Sequence, residues 1–225
     1  MIKPGDEWGT PTDGSPDDEV HGTDAALAAS LPVDGSAPLV RWSPINSDFA
    51  RSVGLHPDSV ASRSGGGGIE LPVDALAIEL HGESARAINA IVVGIGPPRL
   101  RWRHRRRPVT VRVDGHTTFV GNATTVVIAN GQYLNGQDLV PRGHPGDGRV
   151  EVQIYALKPG ERRPMRQRLP SGTHLPHPRI VTATGRSIEI NTGDRAWRVE
   201  LDGVSGPPTH RLRATVISPA IRLLI

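Results

Sequence analysis

Apolar positions in this chain follow two different periods. From residue 108 onward they alternate or form short β-branched blocks. Val109, Val111 and Val113 point one way while Thr110 and Arg112 point the other, as in a strand with one buried face. Val126 to Ala129 is an unbroken apolar block, the signature of a strand buried on both faces. Val150, Val152 and Ile154 alternate again, with Leu157 beyond them. Further strands are predicted at Ile180–Ala183, Ser187–Ile190, Trp197–Leu201, Ala214–Ser218 and Ile221–Ile225. Turn pairs separate these blocks: Asp114-Gly115, Asn130-Gly131, Asn135-Gly136, the Pro145–Gly148 segment and Asp202-Gly203. Asn-Gly and Asp-Gly adopt φ > 0 readily, so each reads as a tight turn.

Before residue 70 the period is helical. Asp24 to Leu31 is Ala/Leu-rich and predicts a short helix. Ala37 to Trp42 predicts a strand. Ile45 to Leu55 predicts a second helix, capped by Asn46 or Ser47, with Phe49, Val53 and Leu55 as its apolar positions. Arg63 to Gly68 reads as a linker. The predicted fold class is therefore α+β: a partial α/β segment over residues 21–68, then a mostly antiparallel, all-β sandwich-like domain over 69–225, with about nine or ten strands.

Composition narrows the chemistry. Apolar residues make up 36% of the chain and aromatics 4%, so Val, Ile, Leu and Ala must build the core. Cysteine is absent, which excludes disulfides, thiolate catalysis and cysteine zinc sites. The nine histidines show no metal-ligand spacing. No apolar run approaches a membrane span and MIKPGDEWGT has no apolar signal region, so a cytoplasmic protein, at most peripheral at the membrane, is expected. The net charge is +3, but residues 1–24 hold seven acids and one base, a net of −6, which leaves +9 on the rest. Residues 1–20 read as a disordered acidic tail.

The basic body suits phosphate-bearing partners. Its densest run is Arg101, Trp102, Arg103, His104, Arg105, Arg106 and Arg107, just after Arg99, with a second cluster at Arg162, Arg163, Arg166 and Arg168. Arginines around a tryptophan fit an anionic membrane surface; the alternative is a solvated loop. No recognition helix or stacking sheet is apparent, so nucleic acid is not expected as a partner.

The order of motifs resembles that of the diacylglycerol kinase-like lipid kinases. Asn130, Gly131, Tyr133, Gly136, Pro141, Asp147 and Gly148 match the family's strand, Asn-Gly, glycine and Asp-Gly sequence. Ser47 to Leu55 is similar to its Asn-Asp-Phe-Ala-Arg helix, keeping Asp48, Phe49, Ala50, Arg51 and Gly54. Val20-His21-Gly22-Thr23 is similar to its Gly-Gly-Asp-Gly-Thr turn. Val73-Asp74, the strand motif around Asn89 and Gly94, the Gly172-Thr173-His174 loop with Pro176 and Pro178, and the terminal Pro219-Ala220 pair follow in family order.

The resemblance implies ATP-dependent phosphoryl transfer to a lipid hydroxyl. It implies nucleotide contacts at Gly22, Thr23, Asp48 and Arg51, acidic groups near the transferred phosphate at Asp202 and Asp74, and Mg²⁺ at Asp147. Four departures weigh against this. Pro44, Ile45 and Ser47 stand at the family's phosphate-turn glycine, threonine and asparagine, and Val204 stands at its catalytic glutamate. Proline removes an N–H and cannot take φ > 0. Valine can accept no proton. Asp202 and Asp147 each read alternatively as ordinary Asp-Gly turn residues. The elements that precede the first motif in the family have no counterpart, so the resemblance implies an N-terminally truncated, degenerate member. It is either a lipid kinase completed by a partner protein or a homodimer, or a non-catalytic relative that binds anionic lipid or a protein through its β-domain.

Overall fold

The computed structural model describes residues 8–55 and 68–225; the linker expected at Arg63–Gly68 lies outside them except for Gly68. The frame is a pair of long antiparallel strands, β4 (Gly68–Leu80) and β17 (Arg211–Leu224). Their register runs from Leu212 opposite Leu80 to Ile217 opposite Ala75. It is interrupted by a bulge and resumes at Ile221 opposite Val73. The bulge divides β17 between two cores. Leu212 and Ala214 enter one, and Ala220, Ile221 and Leu223 enter the other.

The first core lies inside a β-sandwich. One layer has the order β1 (Thr10–Thr12), β4, β17, β14 (Ser187–Asn191), β7 (Arg107–Val113), β8 (His116–Ala123), with β5 (Glu83–Ala87) on β4. The other has the order β13 (Ile180–Gly185), β12 (Val150–Tyr155), β9 (Thr125–Ala129), β6 (Ala90–Gly94), β15 (Trp197–Leu201), β16 (Val204–Thr209). Val126 and Ile128 of β9 face into the sandwich. Val127 and Ala129 face outward, into a core completed by Leu100, Tyr155, Leu157, Met165 and Leu169. Both faces of β9 are thus covered, and its sequence is correspondingly an unbroken apolar block.

The second core is α/β. β2 (Asp18–Gly22), α1 (Asp24–Ala29) and β3 (Leu39–Pro44) form a parallel β-α-β unit, and α2 (Asp48–Ser52) packs beside it with Phe49 fully buried. β3 runs parallel to the end of β17, Arg222 opposite Leu39. The α+β class is therefore observed, but no break in the sheet falls near residue 68: β3 and β4 flank the same strand.

Two expectations are corrected. Over residues 8–20 the acidic leader is no disordered tail. β1 pairs with β4, and β2 pairs with β3. Two of its acids, Asp17 and Glu19, have partners on neighbouring strands. Asp17 accepts from the Leu39 N–H at 2.8 Å and lies 3.8 Å from Arg222, and Glu19 meets Arg41 at 3.0 Å. Val20 is buried, and the Trp8 indole donates to the Pro72 carbonyl at 3.0 Å. Neither Asn130 nor Gly131 has positive φ; that geometry occurs at Asn135 and Gly136 (φ 52° and 71°), between β10 (Tyr133–Leu134) and β11 (Gln137–Asp138). Fourteen strands follow residue 67 among the described residues, more than expected, because short or polar hairpins such as β5, β8 and β16 carry little apolar signal.

Candidate functional site

The starts of the two helices and the Asn89 connection meet at one buried carboxylate, Asp24. Thr23 caps α1, its hydroxyl accepting from the Ala26 N–H. This cap fixes the first turn, so Asp24 points at the start of α2. There its carboxylate accepts from the Ser47 hydroxyl, from the Phe49 N–H at 3.2 Å and from the Asn89 amide at 3.0 Å. Ser47 in turn caps α2, accepting from the Ala50 N–H at 2.8 Å. Burial raises the Asp24 carboxyl above its usual range, against these hydrogen bonds; the nearby Asp48 charge adds to the rise.

Asp48 and Arg51, the expected nucleotide residues of α2, are directed into the protein's own loops. The Gly136 N–H donates to the two oxygens of Asp48 at 2.9 and 3.2 Å, and the Arg51 guanidinium lies 4.0 Å over the Tyr133 ring. The Gln132 N–H donates to Ser52 Oγ at 2.9 Å. Gly131 sits where any Cβ would strike Asn89 Oδ1 and lie 2.9 Å from Ser52 Oγ. Close approach of backbone to α2, not a φ > 0 turn, explains that glycine. Gly22 has φ 130°, and its carbonyl accepts from the Ile45 N–H at 2.9 Å.

Asp202 sits in the left-handed region (φ 48°) of the turn between β15 and β16. Its carboxylate accepts three consecutive backbone N–H groups, from Ile88 at 2.8 Å and from Asn89 and Ala90 at 2.9 Å each. Burial outweighs these donors and pushes its carboxyl up to about 6, with the Asp24 charge contributing. Asn89 bridges the two acids, its N–H on Asp202 and its side chain on Asp24. Val204, where the family has glutamate, is 57% exposed.

Asp74 does not join this group. Its carboxylate accepts from the Gly148 N–H at 2.6 Å, while Asp147 accepts from the Arg149 N–H at 2.9 Å. Burial raises the Asp74 carboxyl, Ser218 and Gly148 oppose the rise, and Asp147 adds to it. Asp74 and Asp202, the two acidic groups expected near the transferred phosphate, accept from different loop N–H groups. Asn130 links the two segments, its amide donating to the Asp74 carbonyl at 2.7 Å and the Ile88 carbonyl at 2.8 Å.

The arginine run is fixed by a residue whose role the sequence did not indicate. Arg162, from α3 (Arg162–Arg168), is 2% exposed. Its guanidinium donates to the carbonyls of Arg101 at 2.7 Å, Trp102 at 3.0 Å, His104 at 2.6 Å and Leu157 at 3.3 Å. No carboxylate lies opposite it among the described ion pairs. The loop therefore holds Trp102 outward, 76% exposed, between exposed Arg101 and Arg103. The rest of the run does not share this face. Arg106 donates back to the Ala156 carbonyl at 3.2 Å, while Arg105 and Arg107 line a cleft beside Trp197.

These residues do not fit the cofactors that the fold implies. A phosphate bound at α2 needs free N–H donors. Here Phe49 N–H is held by Asp24, Ala50 N–H by Ser47, and Pro44 has none. The Asp24 carboxylate adds like charge at the same point. At the expected Mg²⁺ site, the two local carboxylates are both turned onto loop N–H groups, and no group of three or more His, Cys, Asp or Glu side chains suited to a metal occurs among the described residues. No helix among the described residues is long and apolar enough to cross a membrane.

Similarity to known proteins agrees with the fold. No curated protein matches in sequence. The chain resembles a diacylglycerol kinase structure from Bacillus anthracis str. Sterne with a TM-score of 0.70 at 18% identity, covering 92% of this chain and 75% of that one. It also resembles yeast NADH kinase, solved with NADH, with a TM-score of 0.53 at 13% identity, covering 92% of this chain and 61% of that one. At these identities the likeness is one of fold. Residues 70–225 match the model of the YegS C-terminal NAD kinase beta sandwich-like domain, in keeping with the lipid-kinase motif order, and the chain belongs to that family.

Proposed function

We propose that this protein is a non-catalytic relative of the lipid kinases that docks on anionic lipid surfaces through its β-domain. The observation that carries this reading is the Arg162 clamp. A buried guanidinium holds three carbonyls of one loop, and a fourth at Leu157, and that loop presents Trp102 between Arg101 and Arg103. Arg163 and Arg166 of α3 add charge nearby; Arg101 and Arg163 both lower the Arg166 guanidinium, after the larger effect of burial. An indole at the headgroup level with flanking cations suits a bilayer interface. Each engaged cation contributes about 1 kcal/mol on an anionic leaflet. The Asp24 carboxylate at α2 supports the absence of nucleotide chemistry.

A second reading, ATP-dependent phosphorylation of a lipid hydroxyl, is favoured by Asp202. A carboxyl raised to about 6 is poised to exchange protons near neutral pH. Calorimetry of ATP with Mg²⁺, with and without phosphatidylserine vesicles, separates the two. The first reading expects vesicle binding and no heat from millimolar nucleotide. Saturable ATP binding overturns it in favour of the second.

A further inference from the structure

A cleft of about 530 Å³ opens between the end of the arginine run, the β14–β15 connection and the end of β16. Its walls are Gly94, Ile95, Ala123, Ala196, Trp197 and Pro208, and Arg105, Arg107 and Arg198 stand around it. It continues past Arg198 and Pro208 toward Gly96 and Ser205. Three features mark it as a place for a ligand.

First, its arginines have no partners. The guanidinium groups of Arg105, Arg107 and Arg198 enter no ion pair among the described residues, whereas Arg99, at the far end of the cleft, is held by Glu200. Second, the Trp197 indole is 3% exposed and its N–H has no hydrogen-bond partner, a rare state for a buried donor. Third, the backbone is shaped around that ring. Gly94 has φ 100°, and a Cβ there would come within 3.0 Å of the indole.

The cleft is well removed from the acidic cluster. β6 and β15 run antiparallel, with Val93 opposite Val199 and Ile91 opposite Leu201. Gly94 and Trp197 therefore lie at one end of the pair, and Ala90 and Asp202 at the other, about 13 Å away at the usual rise of a strand.

We infer that this cleft binds a phosphomonoester carried on an apolar body, such as the headgroup and first acyl atoms of a phosphatidic acid. Three guanidinium groups match a phosphate dianion better than a single carboxylate, because each can donate two parallel hydrogen bonds to it. The Ile95, Ala196, Trp197 and Pro208 wall takes the apolar part. The surface reading above supplies the source of such a ligand, and the test separates the two ideas.

The test is calorimetric titration of the full chain with water-soluble dioctanoyl phosphatidic acid, inorganic phosphate and dioctanoylglycerol. Phosphatidylserine vesicle sedimentation is measured in parallel. Saturable binding of one dioctanoyl phosphatidic acid is expected, with inorganic phosphate at least tenfold weaker and dioctanoylglycerol unbound. Arg107→Gln and Arg198→Gln each weaken binding about tenfold or more, as loss of a charge-assisted bidentate contact should. Arg213→Gln, the same charge change on β17, leaves it within twofold. All three side chains are exposed, and unchanged melting temperatures verify that the variants fold. No saturable phosphatidic acid binding, with vesicle binding kept, overturns the cleft and leaves the surface reading. Phosphatidic acid binding without vesicle binding does the reverse. Equal affinity for inorganic phosphate, or no effect of either cleft variant, overturns the assignment.

Discussion

The carboxylate of Asp24, from the first turn of α1, accepts the Phe49 N–H at the first turn of α2 at 3.2 Å. A negative side chain thus occupies the helix start where a kinase of this fold family would be expected to hold phosphate. The same carboxylate holds Ser47 and Asn89, so it ties the β-α-β unit to the strand connection that Asp202 organises. Asp24→Ala takes the acceptor from the Ser47 hydroxyl and the buried Phe49 N–H, and leaves the Asn89 amide with the Tyr133 carbonyl alone. A loss of roughly 2 kcal/mol or more is expected by urea unfolding; a loss within 0.5 kcal/mol would mean that the contacts carry no energy.

Asp202 is expected to behave as a structural carboxylate. In Asp202→Asn the amide NH₂ must face one or more of the backbone donors of Ile88, Asn89 and Ala90. A destabilisation of roughly 2 kcal/mol or more follows. A side chain present only for catalysis could be changed with no loss of stability.

The same residue sets a pH dependence. Its folded carboxyl is raised from 3.8 to about 6. The folded state therefore binds the proton more tightly than the unfolded chain does. The stabilisation from this group is full below about pH 4 and is lost as pH rises through 6. The span is worth about 3 kcal/mol. Asp24 and Asp74, also raised, act in the same direction, while Asp114 and Glu161, which are lowered, oppose it. Difference melting curves of the parent and Asp202→Asn isolate this group's contribution: the parent's advantage should shrink between pH 4 and 6. An advantage that grows with pH would contradict the assigned shift.

Arg162→Met removes a guanidinium from four carbonyls while keeping much of its volume. The Arg101–Arg107 loop should then open. Trypsin cleavage within it is expected to accelerate at least tenfold under conditions where β9 and β12 remain protected from hydrogen exchange. Unchanged cleavage would mean that the loop holds its shape without the clamp.

Glycine positions give a sharper test of packing. Gly131→Ala must displace Asn89 or Ser52, whereas Gly160→Ala meets nothing within 4 Å. The first should cost about 2 kcal/mol or more and the second no more than about 0.5 kcal/mol, by chemical denaturation.

Strands with strict alternation or β-branched runs, such as β7, β9 and β12, were legible from period alone, and Ser47 as the α2 cap was legible from residue type. The motif order also led to the segments that meet at α2. What the sequence did not reveal was direction. Asp48 and Arg51 stand in motif positions, yet they point at Gly136 and Tyr133. Asp24 shows no motif signal at all, and its role comes from the angle at which two short helices meet. The acidic leader misled because net charge outweighed a single buried Val20 and a parallel partner strand lying twenty residues away. Arg162 looked like one more surface charge; burial against carbonyls sixty residues distant has no local signature.

The lipid-surface role is tested most directly by vesicle co-sedimentation as salt is raised. Phosphatidylserine vesicles should bind the parent protein and release it with increasing salt, and neutral phosphatidylcholine vesicles should not bind it. Removing two cations with Arg101→Gln and Arg103→Gln should weaken binding about thirtyfold, from about 1 kcal/mol for each residue. Trp102→Ala should weaken it further. Equal binding to neutral vesicles, or binding indifferent to all three substitutions, would contradict the proposed role of the Arg162-clamped loop.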